Sequence, residues 1–278
     1  MAIFPLYRDF FRFLEGMQAD GDPWEIYEEV YLRPHRDFLR AYWTAFFPGI
    51  DVATLRDRVR RVRRGHYAVL EHLVAGNDID GAAAGVIELC RRRLPAIPEP
   101  DVYLMVGFFS ADGFLVVLRG RPVIGVGLER YRDMRPLDII LAHEYGHFAR
   151  QMILGSSRQG AAERLDEKLF SEGLSVHFSR QVFPGRSLGD HLLISRQRLN
   201  WCRENERILL ELVRGRTGGD ELIPALFGSG GLPRGLPPRT GMYLGYRLVE
   251  KVMAAGGGRS FEDLLALTDV AALWPWGG

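Results

Sequence analysis

The sequence predicts an α+β fold, predominantly helical, with a small sheet just ahead of one buried helix. Three observations carry that expectation. Apolar residues recur at helical spacing over most of the chain, residues 101–129 switch to strand-like runs broken by turns, and Leu137–Ile153 is an apolar run with H-E-x-x-H at its centre.

The front of the chain reads as helix. Phe4, Tyr7, Phe10, Phe11 and Leu14 share one face, followed by Trp24, Tyr27, Val30 and Tyr31 and then Phe38, Leu39, Tyr42 and Phe46, until Pro48-Gly49 breaks the pattern. Such an aromatic stripe is a core or a cleft wall. Residues 51–75 read as a further helix and Ile79–Leu94 as another, and prolines 95, 98 and 100 follow as a rigid connector. The expected division is a helical N-terminal region, 1–98, and a second region, 99–278, unless the two form one continuous domain.

In the second region, Val102–Val106, Phe114–Leu118 and Val123–Leu128 read as strands, with turns at Asp112-Gly113 and Arg119-Gly120. Val123–Glu129 is the candidate edge strand, whose Gly125 and Gly127 would let an extended substrate backbone approach. An ordinary core strand is the plain alternative.

The totals narrow the classes of function. At 278 residues, 47% hydrophobic and 26% charged, the chain is an ordinary globular protein, and its net charge of +1 gives no global field for nucleic acid or membrane. Arg56, Arg58, Arg60, Arg61, Arg63 and Arg64 line one helix face; without a binding motif they read as a solvated face, and no nucleic-acid partner is expected. Lys168 and Lys251 are the only lysines among 36 basic residues. Cys90 and Cys202 make neither a disulfide framework nor a zinc spacing. Arg8, Asp9 and Arg12 interrupt the apolar N-terminus, so no signal peptide is expected. No apolar run reaches membrane-spanning length. A cytoplasmic protein follows, of unspecified oligomeric state.

The centre of the chain is Leu137–Ile153. On a helix, His143 and His147 stand one turn apart on the same face and can share one zinc ion, while Glu144 is placed to take a proton from water at the metal. Pro136 suits the first helical turn and Gly155 the end. A catalytic zinc needs a third protein ligand. A metzincin continuation would need a glycine and a third histidine where Arg150 and Ile153 stand, and no Gly-Thr-x-Asp motif follows. The gluzincin option takes a Glu from the next helix, expected over Ala161–Val182. Glu172, set among Leu169, Phe170, Leu174 and Val176, fits best, with His177 and Asp166 as rivals. Glu163, Asp166, Glu167 and Lys168 read as a solvated charge run. Further on, a helix is expected over Asp190–Arg214 and a Gly/Pro-rich loop over Phe227–Thr240, before a capped helix in Ser260–Trp276. Tyr243 and Tyr246, at the start of a helix, are candidates to stabilise an oxyanion.

His-Glu-x-x-His, then Ser171-Glu172-Gly173-Leu174-Ser175, then Gly241-Met242-Tyr243-Leu244-Gly245-Tyr246-Arg247-Leu248-Val249 resemble the YjaZ-like family of predicted zinc-dependent proteases. The resemblance covers roughly residues 100–255. It implies a zincin-like, gluzincin-type fold, His143, His147 and Glu172 as zinc ligands and Glu144 as general base. Met242 stands where that family often has tyrosine, and both Tyr243 and Tyr246 remain candidates. The expected function is a zinc metallopeptidase acting on a peptide or protein substrate. The alternative is a zinc-binding, peptide-binding or regulatory protein with little or no turnover; pure zinc binding has no need of Glu144.

Overall fold

A computed structural model describes residues 1–17, 21–155, 164–216, 218–228, 235–255 and 259–271. The expectations for Ala161–Glu163, for most of the loop after Phe227 and for the last residues of the tail fall outside that range. The chain forms two compact units, residues 1–88 with 99–144 and residues 89–98 with 145–278.

The first unit is built on one sheet. Its strands are β1 (Ile3–Pro5), β2 (Val102–Met105), β3 (Gly113–Leu118) and β4 (Arg121–Gly127), in the order β1-β2-β4-β3. β2 runs parallel to β1 and β4, and β3 runs antiparallel to β4. Arg119 and Gly120, at φ 52° and 78°, make the tight turn between β3 and β4, as Arg-Gly predicted. Two expectations need correction. Ile3–Pro5 is a strand rather than helix, because its backbone pairs with β2; three residues are too few to show an alternating pattern. β4 is an inner strand, with β2 on one side and β3 on the other, so β3 is the edge. Gly125 and Gly127 make room for the chain itself. A side chain at Gly125 would collide with the Phe114 ring, its cross-strand partner, and one at Gly127 with the Ala111 carbonyl.

The aromatic stripe folds over this sheet as α1 (Leu6–Gly16), α2 (Pro23–Tyr27), a single π-turn (Glu28–Leu32) and α3 (Arg36–Phe46). Asp22 caps α2 by accepting from the Trp24 amide at 3.1 Å, with Pro23 in the first turn. Phe10, Phe13, Tyr27 and Tyr31 meet edge to face or tilted at ring distances of 5.3–5.4 Å. Phe38 stacks flat on Tyr103 of β2 at 4.1 Å. Two buried hydroxyls are satisfied by the end of β2: Tyr31 donates to the Val106 carbonyl at 2.9 Å and Tyr42 to that of Gly107 at 2.7 Å. The single helix expected over 51–75 is two, α4 (Val52–Arg60) and α5 (Ala68–Gly76). Between them a 3-10 turn at Arg64–Tyr67 carries Tyr67 inward against Phe10, overriding local helix preference. Ile79–Arg93 forms α6 as expected.

The second unit is helical. α8 (Leu165–Val182) and α13 (Thr240–Ala254) form its tightest pair. They cross where Gly173 meets Gly245: a β-carbon on either would collide with backbone of the other helix. The long helix expected over Asp190–Arg214 is three: α9 (Leu188–His191), α10 (Arg196–Glu204) and α11 (Glu206–Val213). Leu193 takes a left-handed conformation, and the Asn205 side chain donates to the Trp201 carbonyl at 2.8 Å, closing α10. α12 (Ile223–Phe227) and α14 (Phe261–Leu265) are short, and Ser260 with Asp263 forms a capping box on α14. Among the described residues, no helix is long and apolar enough to cross a membrane.

Candidate metal centre

The H-E-x-x-H run lies in α7 (Arg135–Leu154), and Gly155, at φ 64°, ends the helix. Ile139, Leu141, Ala142, Tyr145, Phe148 and Ala149 are buried on several sides of it, so the helix is a core element rather than an amphipathic one. In that setting His143 and Glu144 are only 3% and 8% exposed. Polar groups buried like this require partners.

The structure brings His143, His147 and Glu172 together, with one donor atom from each within 4.8 Å of the others. The His147 Nε2 to Glu172 Oε2 distance is 3.4 Å. Two ligand atoms placed tetrahedrally about zinc, each about 2.1 Å from it, lie about 3.4 Å apart. His147 is also oriented for this: its Nδ1 lies 3.1 Å from Ser171 Oγ, an arrangement that leaves Nε2 facing the carboxylate. The residues present therefore fit a metal ion. Gly146 explains how the helices come close enough, since a β-carbon there would sit 2.9 Å from Ser175 Cα of α8.

The rivals for third ligand are engaged elsewhere. Asp166 accepts from Arg164, at 2.7 Å from Nη2, and from the Glu167 amide at 2.8 Å. His177 Nε2 lies 3.1 Å from the Tyr246 carbonyl, its ring stacks on Tyr246 at 4.7 Å, and burial holds its pKa below the ordinary value. The charge run 166–168 is not a solvated face. Asp166 is 1% exposed, and Glu167 takes a 2.6 Å ion pair from buried Arg150, which also donates to the Leu265 and Leu267 carbonyls. Lys168 Nζ lies 3.1 Å from Glu172 Oε1.

Glu144 faces the edge strand. A β-carbon on Gly113, the first residue of β3, would come within 2.8 Å of Glu144 Cγ and 2.9 Å of its Oε1. The two candidate tyrosines have their hydroxyls bound. Tyr243 donates to Glu206 Oε2 at 2.6 Å; Tyr246 donates to Glu250 Oε1 at 2.8 Å and accepts from Arg180 at 2.7 Å. Burial first, and the neighbouring carboxylate second, raises both pKa values.

A family model described as Predicted Zn-dependent protease, DUF2268, matches residues 116–272, more than half of the chain. The chain belongs to this family. The DUF2268 match takes in α7 and α8 and so all three clustered residues, and it agrees with the YjaZ-like resemblance read from the motifs. No curated protein and no solved structure matches. For this DUF2268 member, sequence reading missed Ser171, Lys168 and Gly113. Ser171 and Lys168 had a signal, their positions one residue and one turn before Glu172 on a helix. Gly113 had none, since its neighbour Glu144 is distant in sequence.

Proposed function

We propose that the chain is a zinc-dependent peptidase of gluzincin type, with His143, His147 and Glu172 as metal ligands and Glu144 as general base. The observation that carries this reading is the convergence of two imidazoles and one carboxylate on a space of metal-site size, with Glu144 beside them. A zinc ion bound there would supply a Lewis acid for hydrolysis of a peptide carbonyl. Glu144 takes the proton of the attacking water on its carboxylate and returns it to the leaving nitrogen. Its burial and the contact with Gly113 hold that carboxylate in one place. The outer edge of β3, which no described strand pairs with, could take an extended peptide as a further strand, starting at the residue that touches Glu144.

The test is incubation of zinc-loaded wild type and Glu144→Gln with a peptide library, followed by mass spectrometry. Wild type is expected to cleave. The variant is expected to keep its zinc and lose about 10²–10⁴-fold in rate. No cleavage by zinc-loaded wild type, or equal cleavage by the variant, contradicts the proposal.

A further inference from the structure

Lys168 is an unusual choice in this chain. Of 36 basic residues only Lys168 and Lys251 are lysine. Lys168 Nζ contacts one oxygen of Glu172, Oε1, at 3.1 Å, while the other, Oε2, faces His147 Nε2 at 3.4 Å. The two oxygens of one carboxylate thus have separate partners. The ammonium is held from a second side by the Phe227 ring, 5.7 Å from its centre. That ring is itself packed, since a β-carbon on Gly241 would lie 2.6 Å from it.

As a helix-stabilising pair this arrangement is the weaker one, because Lys precedes Glu in the i, i+4 spacing. Its chemistry fits another purpose. Lysine is a compact point charge that engages one oxygen, whereas the arginine fork takes both oxygens of a carboxylate side by side. An arginine here would draw Oε2 away from the histidines. A neutral side chain would remove the charge that draws Oε1 away from the metal ion.

We propose that Lys168 is a positioning residue that makes Glu172 a one-oxygen metal ligand, keeping Oε1 out of the coordination sphere and Oε2 in it. The inference rests on the zinc-site reading above and deepens it. A metal site held to three protein donors keeps a position open for water and substrate. A carboxylate bound through both oxygens would add a fifth donor and crowd that position.

The test uses the full chain, stripped of metal and titrated with cobalt(II), whose visible absorption is weaker in five-coordinate than in tetrahedral sites. Zinc affinity is measured in parallel by competition with a chelator. Lys168→Met is expected to lower the cobalt absorption by about twofold or more, as Oε1 joins the metal. Lys168→Arg is expected to bind zinc about 10–100-fold more weakly, with its metal-free melting temperature unchanged. A simple helix ion pair predicts neither, because arginine would replace lysine without loss. A Lys168→Met spectrum superimposable on wild type, or a Lys168→Arg protein that binds zinc as tightly as wild type, overturns the proposal. A wild type that takes up neither cobalt nor zinc removes the metal-site reading itself, a result distinct from metal uptake that Lys168 leaves unaltered.

Discussion

Gly113 and Glu144 are in contact through a space that only a glycine leaves open: a β-carbon at residue 113 would lie 2.8 Å from Glu144 Cγ and 2.5 Å from Ile140 Cγ2. The edge strand and the proposed general base therefore pack directly against one another. Gly113→Ala is expected to push the carboxylate aside and lower peptide hydrolysis by about 10²-fold, the cost of a displacement near 1 Å. Zinc content should stay at the wild-type value. An alanine variant with full activity would mean that Glu144 and β3 are positioned independently.

Gly245 lies where α13 crosses α8, close to the Leu169 carbonyl. Gly245→Ala forces a β-carbon against the α8 backbone, which no rotamer change relieves. Urea unfolding should show a loss of about 1–3 kcal/mol. Since α8 carries Glu172, zinc affinity should fall with it. An unchanged midpoint would show that the helices separate freely.

Glu129 is a buried carboxyl in the turn after β4. Its Oε1 accepts from the Gly107 and Phe109 amides at 2.7 and 2.8 Å, beside Phe108 and Phe109 in left-handed conformations. Tyr31, Tyr42, Tyr67 and Tyr131 lie near it, and Arg130 is a neighbouring cation. Burial outweighs these bonds and pushes its pKa up to about 7. The unfolded chain ionises this group at its ordinary lower pH, so the folded state binds the extra proton between the two values. Stability from Glu129 is thus full below the unfolded pKa and falls as pH rises toward 7, by a total on the order of 3 kcal/mol. Glu129→Gln, whose amide oxygen still accepts from both N–H groups, removes that slope. Melting temperatures at pH 5 and pH 8 check this: wild type should lose more than the variant. Parallel losses contradict it.

Tyr243 and Tyr246 each donate to a carboxylate, Glu206 and Glu250. An oxyanion donor is worth about 10²–10³-fold in kcat. With both hydroxyls already bound, Tyr243→Phe and Tyr246→Phe are each expected to cost less than about tenfold. A 100-fold loss in kcat for either would return that hydroxyl to the reaction.

The sequence was most legible where period and chemistry coincide. His143, Glu144 and His147 pointed to a helix and a candidate metal site together, and the helix begins two residues before the expected start and ends one after the expected end. Glu172 was found by asking what a zinc site lacks, and the structure brings it to His147. The hairpin was readable because Arg119-Gly120 meets a specific backbone demand. What could not be read is long-range. Ile3–Pro5 is a strand only because β2 lies beside it, and β4 is internal only because β2 pairs with the side that β3 leaves open. The helix expected over 51–75 divides at Tyr67 and that over 190–214 at Leu193 and Asn205, where a tertiary contact, a left-handed residue or a side-chain cap overrides periodicity. Lys168 looked solvated because charge in a row resembles surface until the partner of each charge is known.

One zinc ion held by His143, His147 and Glu172 is what the proposed function requires. The most direct measurement is zinc per chain by elemental analysis, on wild type and Glu172→Ala purified without chelator and dialysed against the same zinc buffer. About one zinc per chain is expected in wild type, with a sharp loss in the variant. A wild type that neither carries zinc nor takes it up, or a variant that retains a full equivalent, contradicts it.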